Sequence, residues 1–300
     1  MTATRFDFLR YSRFTVALAA AMVLLSLVTI AVKGFRWGID FTGGVLLERG
    51  LGRPVTAGEV REVLLAPALA DLQLGSAVVQ PVPEASSVLI RFAAESADAV
   101  ARVDAALAAA FGQAEERRTE FIGPVIGAEL VRNALLALAL SAVGMLAYLW
   151  LRFEMRFSVV AIATLLHNVI IVLGFVSLLE LEVNSSFIAA VLTVLGYSVN
   201  DTIVIFDRIR EHVQVREEKP SADVVNRSLN ETLARTINTS LTTLLVVVSL
   251  LAFGGDTIRG FMLVLFVGIV VGSYASLFVA SPLWLWWRLR GEKKPRAAAA

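Results

Sequence analysis

The 300-residue chain is 57% hydrophobic and only 18% charged, with a mean hydropathy of +0.73. That balance excludes a single water-soluble core of this size and points to a polytopic membrane protein. The formal net charge of +1 gives no ground for a nucleic-acid partner, and the absence of cysteine excludes a disulfide, a thiolate metal site or a cysteine nucleophile.

Residues 1–13 are short and basic, with Arg5, Arg10 and Arg13, and predict a cytoplasmic N-terminus. The apolar run 14–32 is long enough to be a first span. A cleaved signal peptide is the rival reading, but its apolar core is roughly 7–15 residues and ends at small residues. This run ends instead at Lys33-Gly34-Phe35-Arg36-Trp37, which favours an uncleaved span.

Residues 33–129 change to ordinary globular sequence and predict one soluble domain. Val45 to Arg49 alternate like a strand. Residues 56–70 open with Thr56 followed three residues later by Glu59, a capping pattern, and carry Val60, Val63 and Leu64 at helical spacing. Residues 76–82 and 87–92 read as strands divided by a turn at Pro83. Residues 96–111 form a second amphipathic helix, with Val100, Val103, Ala106 and Leu107 on one side, and 116–122 a last strand. The order β-α-β-β-α-β predicts an α+β ferredoxin-like sandwich.

Five further apolar segments follow at 130–151, 157–179, 186–206, 233–253 and 261–287, so the fold class is an α-helical membrane protein with six transmembrane helices. Arg152 and Arg156 separate the second and third. Residues 207–232, rich in arginine, form a charged connector, and 288–300 form a tail with Arg288, Arg290, Lys293, Lys294 and Arg296. Glu180 and Glu182 lie on the opposite side, as do Asp256 and Arg259. The positive-inside rule then puts both termini in the cytoplasm and the globular domain outside. Within the connector, Ser221 after Pro220 is placed to cap a helix containing Val224, Val225 and Leu229. Trp284, Trp286 and Trp287 predict an interfacial anchor at the last exit.

The fourth segment carries Asn200 and Asp201. An aspartate at a span centre costs roughly 2.5–3.5 kcal/mol on insertion scales, so Asp201 needs a partner or a task. Helical periodicity places Thr193, Val194, Tyr197, Ser198, Val204 and Ile205 near its face, a polar stripe that should meet protein or water. Asp207, Arg208, Arg210 and Glu211 read as the solvated end of that helix. At the opening of the fifth segment Arg235 is followed by Asn238, Thr239, Thr242 and Thr243. Two readings of Arg235 stay open: it pairs with Asp201, or it snorkels to the headgroups.

His167 and Asn168, with Thr164 one turn earlier, sit mid-way along the third segment. A neutral histidine bonded to a neighbouring helix is the cheaper reading, and proton relay ranks second. One histidine beside an asparagine makes a poor metal site, and no metal is expected. Glu129 and Arg132 mark the entry to the second span. No phosphate loop, nucleophile elbow or His-Glu-x-x-His is present, so no enzyme activity and no cofactor are expected. Gly268, Gly272 and Ser276 make a small-residue stripe suited to close helix packing.

Four stretches in order along nearly the whole chain carry a resemblance. They are Gly38-Ile39-Asp40-Phe41-Thr42-Gly43-Gly44 after the first span, residues 196–211, residues 233–243, and Phe253-Gly254-Gly255 with Gly260-Phe261. The chain resembles the SecF family of the bacterial SecD–SecF protein-export complex, related in architecture to half of a resistance-nodulation-division transporter.

The resemblance implies that Asp201 and Arg235 serve proton passage, with Asn200, Tyr197, Asn238, Thr239 and His167 as supporting polar groups and protons as the coupling ion. It also implies SecD, a Sec channel of the SecY-E-G type and a translocating preprotein as partners, in the bacterial inner membrane. One departure stands out: relatives often carry His-Asp where this chain has His167-Asn168. An arginine moving relative to a buried carboxylate switches its proton affinity, which suggests how the gradient could drive late steps of export. The alternatives are half of a proton-coupled small-molecule exporter, and a non-transporting scaffold of the translocon.

Overall fold

A computed structural model of the chain describes residues 6–82, 86–93 and 97–292. Arg5, the turn at Pro83, the predicted helix start at Ser96, and Lys293, Lys294 and Arg296 of the tail lie outside them. In chain order the main elements are α1 (Ser12–Lys33), α2 (Ile39–Thr42), β1 (Gly44–Gly50), α3 (Ala57–Leu64), β2 (Val78–Val82), β3 (Ser87–Phe92), α4 (Ala97–Phe111), β4 (Glu115–Ile122), α5 (Pro124–Arg152), α6 (Met155–Leu178), α7 (Ser185–Arg210), α8 (Ala222–Phe253), α9 (Asp256–Ala275) and α10 (Ser281–Glu292). They divide into two compact units, Trp37–Leu135 and the remainder.

In the first unit the sheet order is β2-β3-β1-β4 and every neighbouring pair is antiparallel, with Leu47 opposite both Ile90 and Thr119. Val45, Leu47, Val88 and Ile90 form a core with Val60 and Leu64 of α3 and Val103 and Leu107 of α4. The capping box forms: Thr56 N–H donates to Glu59 Oε2 (2.7 Å) while its Oγ1 accepts from Glu59 N–H (3.3 Å). α3 stops at Leu64 rather than continuing to 70, because Pro67 has no N–H to sustain the ladder, and a 3-10 segment, Pro67–Leu72, follows.

A guanidinium lies inside this unit. Arg49 is 1% exposed; its Nε and Nη2 donate to Asp104 (2.7 and 2.9 Å), and further bonds reach the Arg118 carbonyl (2.9 Å) and Thr119 Oγ1 (2.9 Å). The side chain therefore ties β1 to α4 and β4 with its donors matched.

Six helices among the described residues are long and apolar enough to cross a membrane, and the chain is a multi-pass membrane protein. The sixth is composite, α9 and α10 being joined by a π-helical turn at Ser276–Ala280. Two helices outrun their apolar segments. α7 runs through Arg210 into a π-helical turn, Glu211–Val215, and α8 begins at Ala222, so most of the charged connector is helical. Ser221 caps α8 by accepting from Val224 N–H (3.3 Å).

The reason for the extension is a ladder of charges between the two helix ends. Arg208 bonds Glu231 and Glu211, and Arg227 bonds Glu218. His212, fully buried, lies 3.0 Å from both Glu218 and Glu231. Asp207 accepts from Arg152 (2.7 Å) and Arg210 (3.0 Å), linking the ends of α5 and α7. The charged helix end, still partly exposed at Asp207 and Glu211, is thus also an electrostatic joint around the buried His212.

The N-terminal segment is held by two asparagines one turn apart on α8. Phe6 N–H donates to Asn230 Oδ1 (2.9 Å), Asn230 Nδ2 to the Phe6 carbonyl (2.8 Å), Leu9 N–H to Asn226 Oδ1 (3.2 Å), and Asn226 Nδ2 to Asp7 (2.7 Å). Trp284 corrects the expected interfacial anchor. It is 2% exposed and stacks on Phe157 at 4.7 Å in the bundle core, leaving Trp286 and Trp287 nearer the surface.

Candidate functional site

α7 presents two rows rather than one stripe. Val194, Ser198, Asp201, Thr202 and Ile205 are buried, whereas Thr193 and Asn200 are exposed and Tyr197 and Val204 half-buried. The helical period, about 100° per residue, lets a band of that width cover both rows, and packing decides between them.

The buried row is set by α9. A Cβ on Gly268 would stand 2.2 Å from Val194 Cγ2, and one on Gly272 would stand 2.4 Å from Ser198 Oγ, so only glycine admits this approach. One step on, Thr202 and Ser276 share a hydroxyl hydrogen bond of 2.8 Å. The stripe read as packing does pack, and it seals Asp201 against the bundle.

Asp201 is 3% exposed. Ser273 Oγ of α9 donates to its Oδ2 at 3.5 Å and also contacts Ser240 Oγ of α8 at 2.7 Å. Three helices therefore meet at one carboxylate through two hydroxyls, which act as donor or acceptor as required. Ser273 was not among the residues singled out from sequence, and Ser240 entered only as part of the stretch 233–243. The available signal was Ser273 directly after Gly272, on the helix already marked for close approach.

Arg235 is exposed and forms no ion pair with Asp201 among the described residues. It lines a cleft of about 280 Å³ with Val204, Asp207, Arg208, Glu211, Glu231 and Thr232. The exposed row of α7 and this cleft share Val204. Thr239 is half-buried, its hydroxyl bonding the Arg235 carbonyl (2.9 Å), and Asn238 is exposed. His167 Nδ1 meets Asn168 Oδ1 at 2.9 Å, so the ring bonds its own neighbour rather than another helix. Asn168 is buried. Glu129 and Arg132 fall within α5, which begins earlier than the predicted span.

The Gly38–Gly44 stretch lies in the other unit. Gly38 is the N-cap of α2, Thr42 Oγ1 donates to the Gly38 carbonyl (3.1 Å), and Trp37 and Phe41 stack edge-on at 6.2 Å. Asp40 sits in the first turn. Gly43 (φ 69°) closes α2, and Gly44 (φ 117°) starts β1 so close to β3 that a Cβ would meet the Phe92 carbonyl at 2.6 Å. Both glycines are demanded by backbone geometry.

The family described as protein export membrane protein SecD/SecF, C-terminal, matches residues 102–290, and the SecD/SecF GG motif matches residues 28–48. Protein translocase subunit SecF of Desulfurispirillum indicum is 41% identical, the match covering 94% of this chain and 92% of the relative. The SecF subunit of Sebaldella termitidis is 43% identical over 91% of this chain and 88% of its own length. The crystal structure of SecDF, a translocon-associated membrane protein from Thermus thermophilus, superposes with a TM-score of 0.85 at 36% identity, covering 97% of this chain. This chain spans only 40% of that SecDF chain. With a family match over most of its length and these identities, the chain belongs to the SecF family of protein translocase subunits.

Proposed function

We propose that this chain works with a SecD partner to promote late steps of preprotein export through a SecY-E-G type channel, driven by the proton-motive force, with Asp201 carrying the proton. The carrying observation is the position of Asp201, a carboxylate sealed between α7, α8 and α9 with hydroxyls as its polar neighbours. A carboxylate so placed is costly to keep charged without a partner, and gaining or losing a proton changes its demands on the surrounding helices. Moving one charge through the membrane potential yields about 2.3 kcal/mol per 100 mV, comparable to the few kcal/mol separating two conformations.

In this reading Arg235 acts from the neighbouring cleft, and its approach to Asp201 switches proton affinity. Asn200 and Tyr197, on the outer row of α7, face the partner or water. The match of this chain to 40% of a SecDF chain supports a partner that supplies the other half. The strand order β2-β3-β1-β4 supports a ferredoxin-like sandwich, and the arginines at one set of helix ends support a cytoplasmic location for both termini, with residues 33–129 extracytoplasmic. Protons are the coupling ion and no other cofactor is invoked.

The test is secretion of a reporter preprotein from spheroplasts carrying Asp201→Asn with the partner subunit, with and without an imposed proton gradient. The expected result is loss of the gradient-dependent part of export at normal protein level and assembly. Undiminished gradient-dependent export would leave Asp201 a packing residue and favour a scaffold.

A further inference from the structure

A second concave feature lies away from Asp201, between the N-terminal turns of α6 and the last helix, α10. It is a groove of about 270 Å³ lined by Val159, Ala163, Leu283, Trp286 and Trp287, with Arg290 at its rim. No carboxylate lines it among the described residues. Arginine is treated differently elsewhere at these helix ends. Arg152 and Arg210 are held by Asp207, and Arg208 by Glu211 and Glu231. The Arg290 side chain makes no ion pair or hydrogen bond with another described residue.

We propose that this groove binds an anionic phospholipid, with an acyl chain along Ala163 and Leu283 and the phosphate accepting hydrogen bonds from the Arg290 guanidinium. Three features select that occupant. The wall is apolar and belongs to two membrane-spanning helices, so hydrocarbon fills it at no desolvation cost. The indoles of Trp286 and Trp287 suit the headgroup boundary, where one edge is apolar and the other wet. The single charge at the rim is a planar fork that matches phosphate oxygens in pairs, and positively charged pockets between spans favour acidic headgroups. A free phosphate would satisfy the arginine and leave the apolar wall uncovered.

The experiment compares phosphatidylglycerol with phosphatidylcholine of identical acyl chains, retained by the full-length chain in native mass spectrometry from mixed nanodiscs. The wild type should keep phosphatidylglycerol about tenfold more than phosphatidylcholine, the scale of a good charge-assisted hydrogen bond. Arg290→Gln should abolish the preference, and Arg290→Lys should keep part of it. Ala163→Phe should weaken retention although the arginine is intact, because the groove is filled. A photo-reactive side chain at Leu283 should give lipid-mass adducts in native membranes. Equal retention of the two lipids, a preference unchanged in Arg290→Gln, or a polypeptide adduct at Leu283 would each overturn the proposal.

Discussion

Ser240 and Ser273 share a hydroxyl hydrogen bond of 2.7 Å, and it joins α8 to a side chain of α9 that donates to Asp201. Replacing Ser240 with alanine removes that bond without adding bulk. A net loss of about 1 kcal/mol is expected, a drop of roughly 2–4 °C in the melting temperature. Thermal unfolding of the detergent-solubilised chain measures it. An unchanged melting temperature would mean that α8 is held here by apolar packing alone.

The approach of α9 to α7 gives a larger effect. Gly272→Val places carbon where Ser198 Oγ lies 2.4 Å away, and overpacking of this kind costs about 1–3 kcal/mol or more. Gly144→Ala in α5 is the control, since a Cβ there meets nothing within 4 Å and alanine favours the helix. The first variant should lose folded yield and melt earlier, while the second should melt at or above the wild-type temperature.

In the globular unit, Arg49→Ala should destabilise by about 3 kcal/mol, because it empties a buried site and strips Asp104, Thr119 and the Arg118 carbonyl of their donor. Arg49→Lys should recover only part of this, lacking the planar fork. Hydrogen exchange of the β1 and α4 amides reports the loss. Protection equal to wild type in Arg49→Ala would contradict the role assigned to the pair.

Arg102 donates to both oxygens of Asp71 (2.6 and 2.7 Å), and these bonds hold the Asp71 carboxyl below its ordinary value of 3.8. A carboxyl lowered by folding contributes stability above its unfolded pKa, and that contribution fades as pH falls through the lower folded value. Asp71→Asn should therefore lower the thermal stability of this unit at pH 6. The gap to wild type should close as pH is brought well below 4. A gap independent of pH would point to lost packing rather than lost charge.

Asn226 and Asn230 grip the backbone of Phe6 and Leu9 and the side chain of Asp7. Substituting both with alanine should free the segment before α1 and speed tryptic cleavage at Arg10 and Arg13 several-fold, while the bundle melts nearly as before. Cleavage at the wild-type rate would mean that Phe8, buried in the bundle core, anchors the segment unaided.

Composition and hydropathy made the spans legible because hydrocarbon imposes a length and an apolar content that few soluble helices meet. Asp201 was legible for the same reason, as an exception to that content. Trp284 was not: a tryptophan near the end of a span has the same local signature whether it stacks on Phe157 or anchors at the interface. Periodicity grouped Thr193 and Tyr197 with Ser198, and only the position of α9 separates them. The joint around His212 escaped because its partners, Glu218 and Glu231, belong to the connector and to α8, and the π-helical turn that aims His212 leaves no mark in composition.

The parallel course of α7 and α9 has a mechanical meaning. Gly268, Gly272 and Ser276 advance in four-residue steps past Val194, Ser198 and Thr202, so a slide of less than a full turn drives a side chain into backbone. The two helices form one stiff plate with Asp201 set in it, whereas α8 meets that carboxylate through the Ser240–Ser273 hydroxyl bridge. On the proposed reading of Asp201 as the proton carrier, rearrangement around it falls to α8. Spin labels should report a fixed separation across α7 and α9 and a variable one across α7 and α8 when the chain is at work.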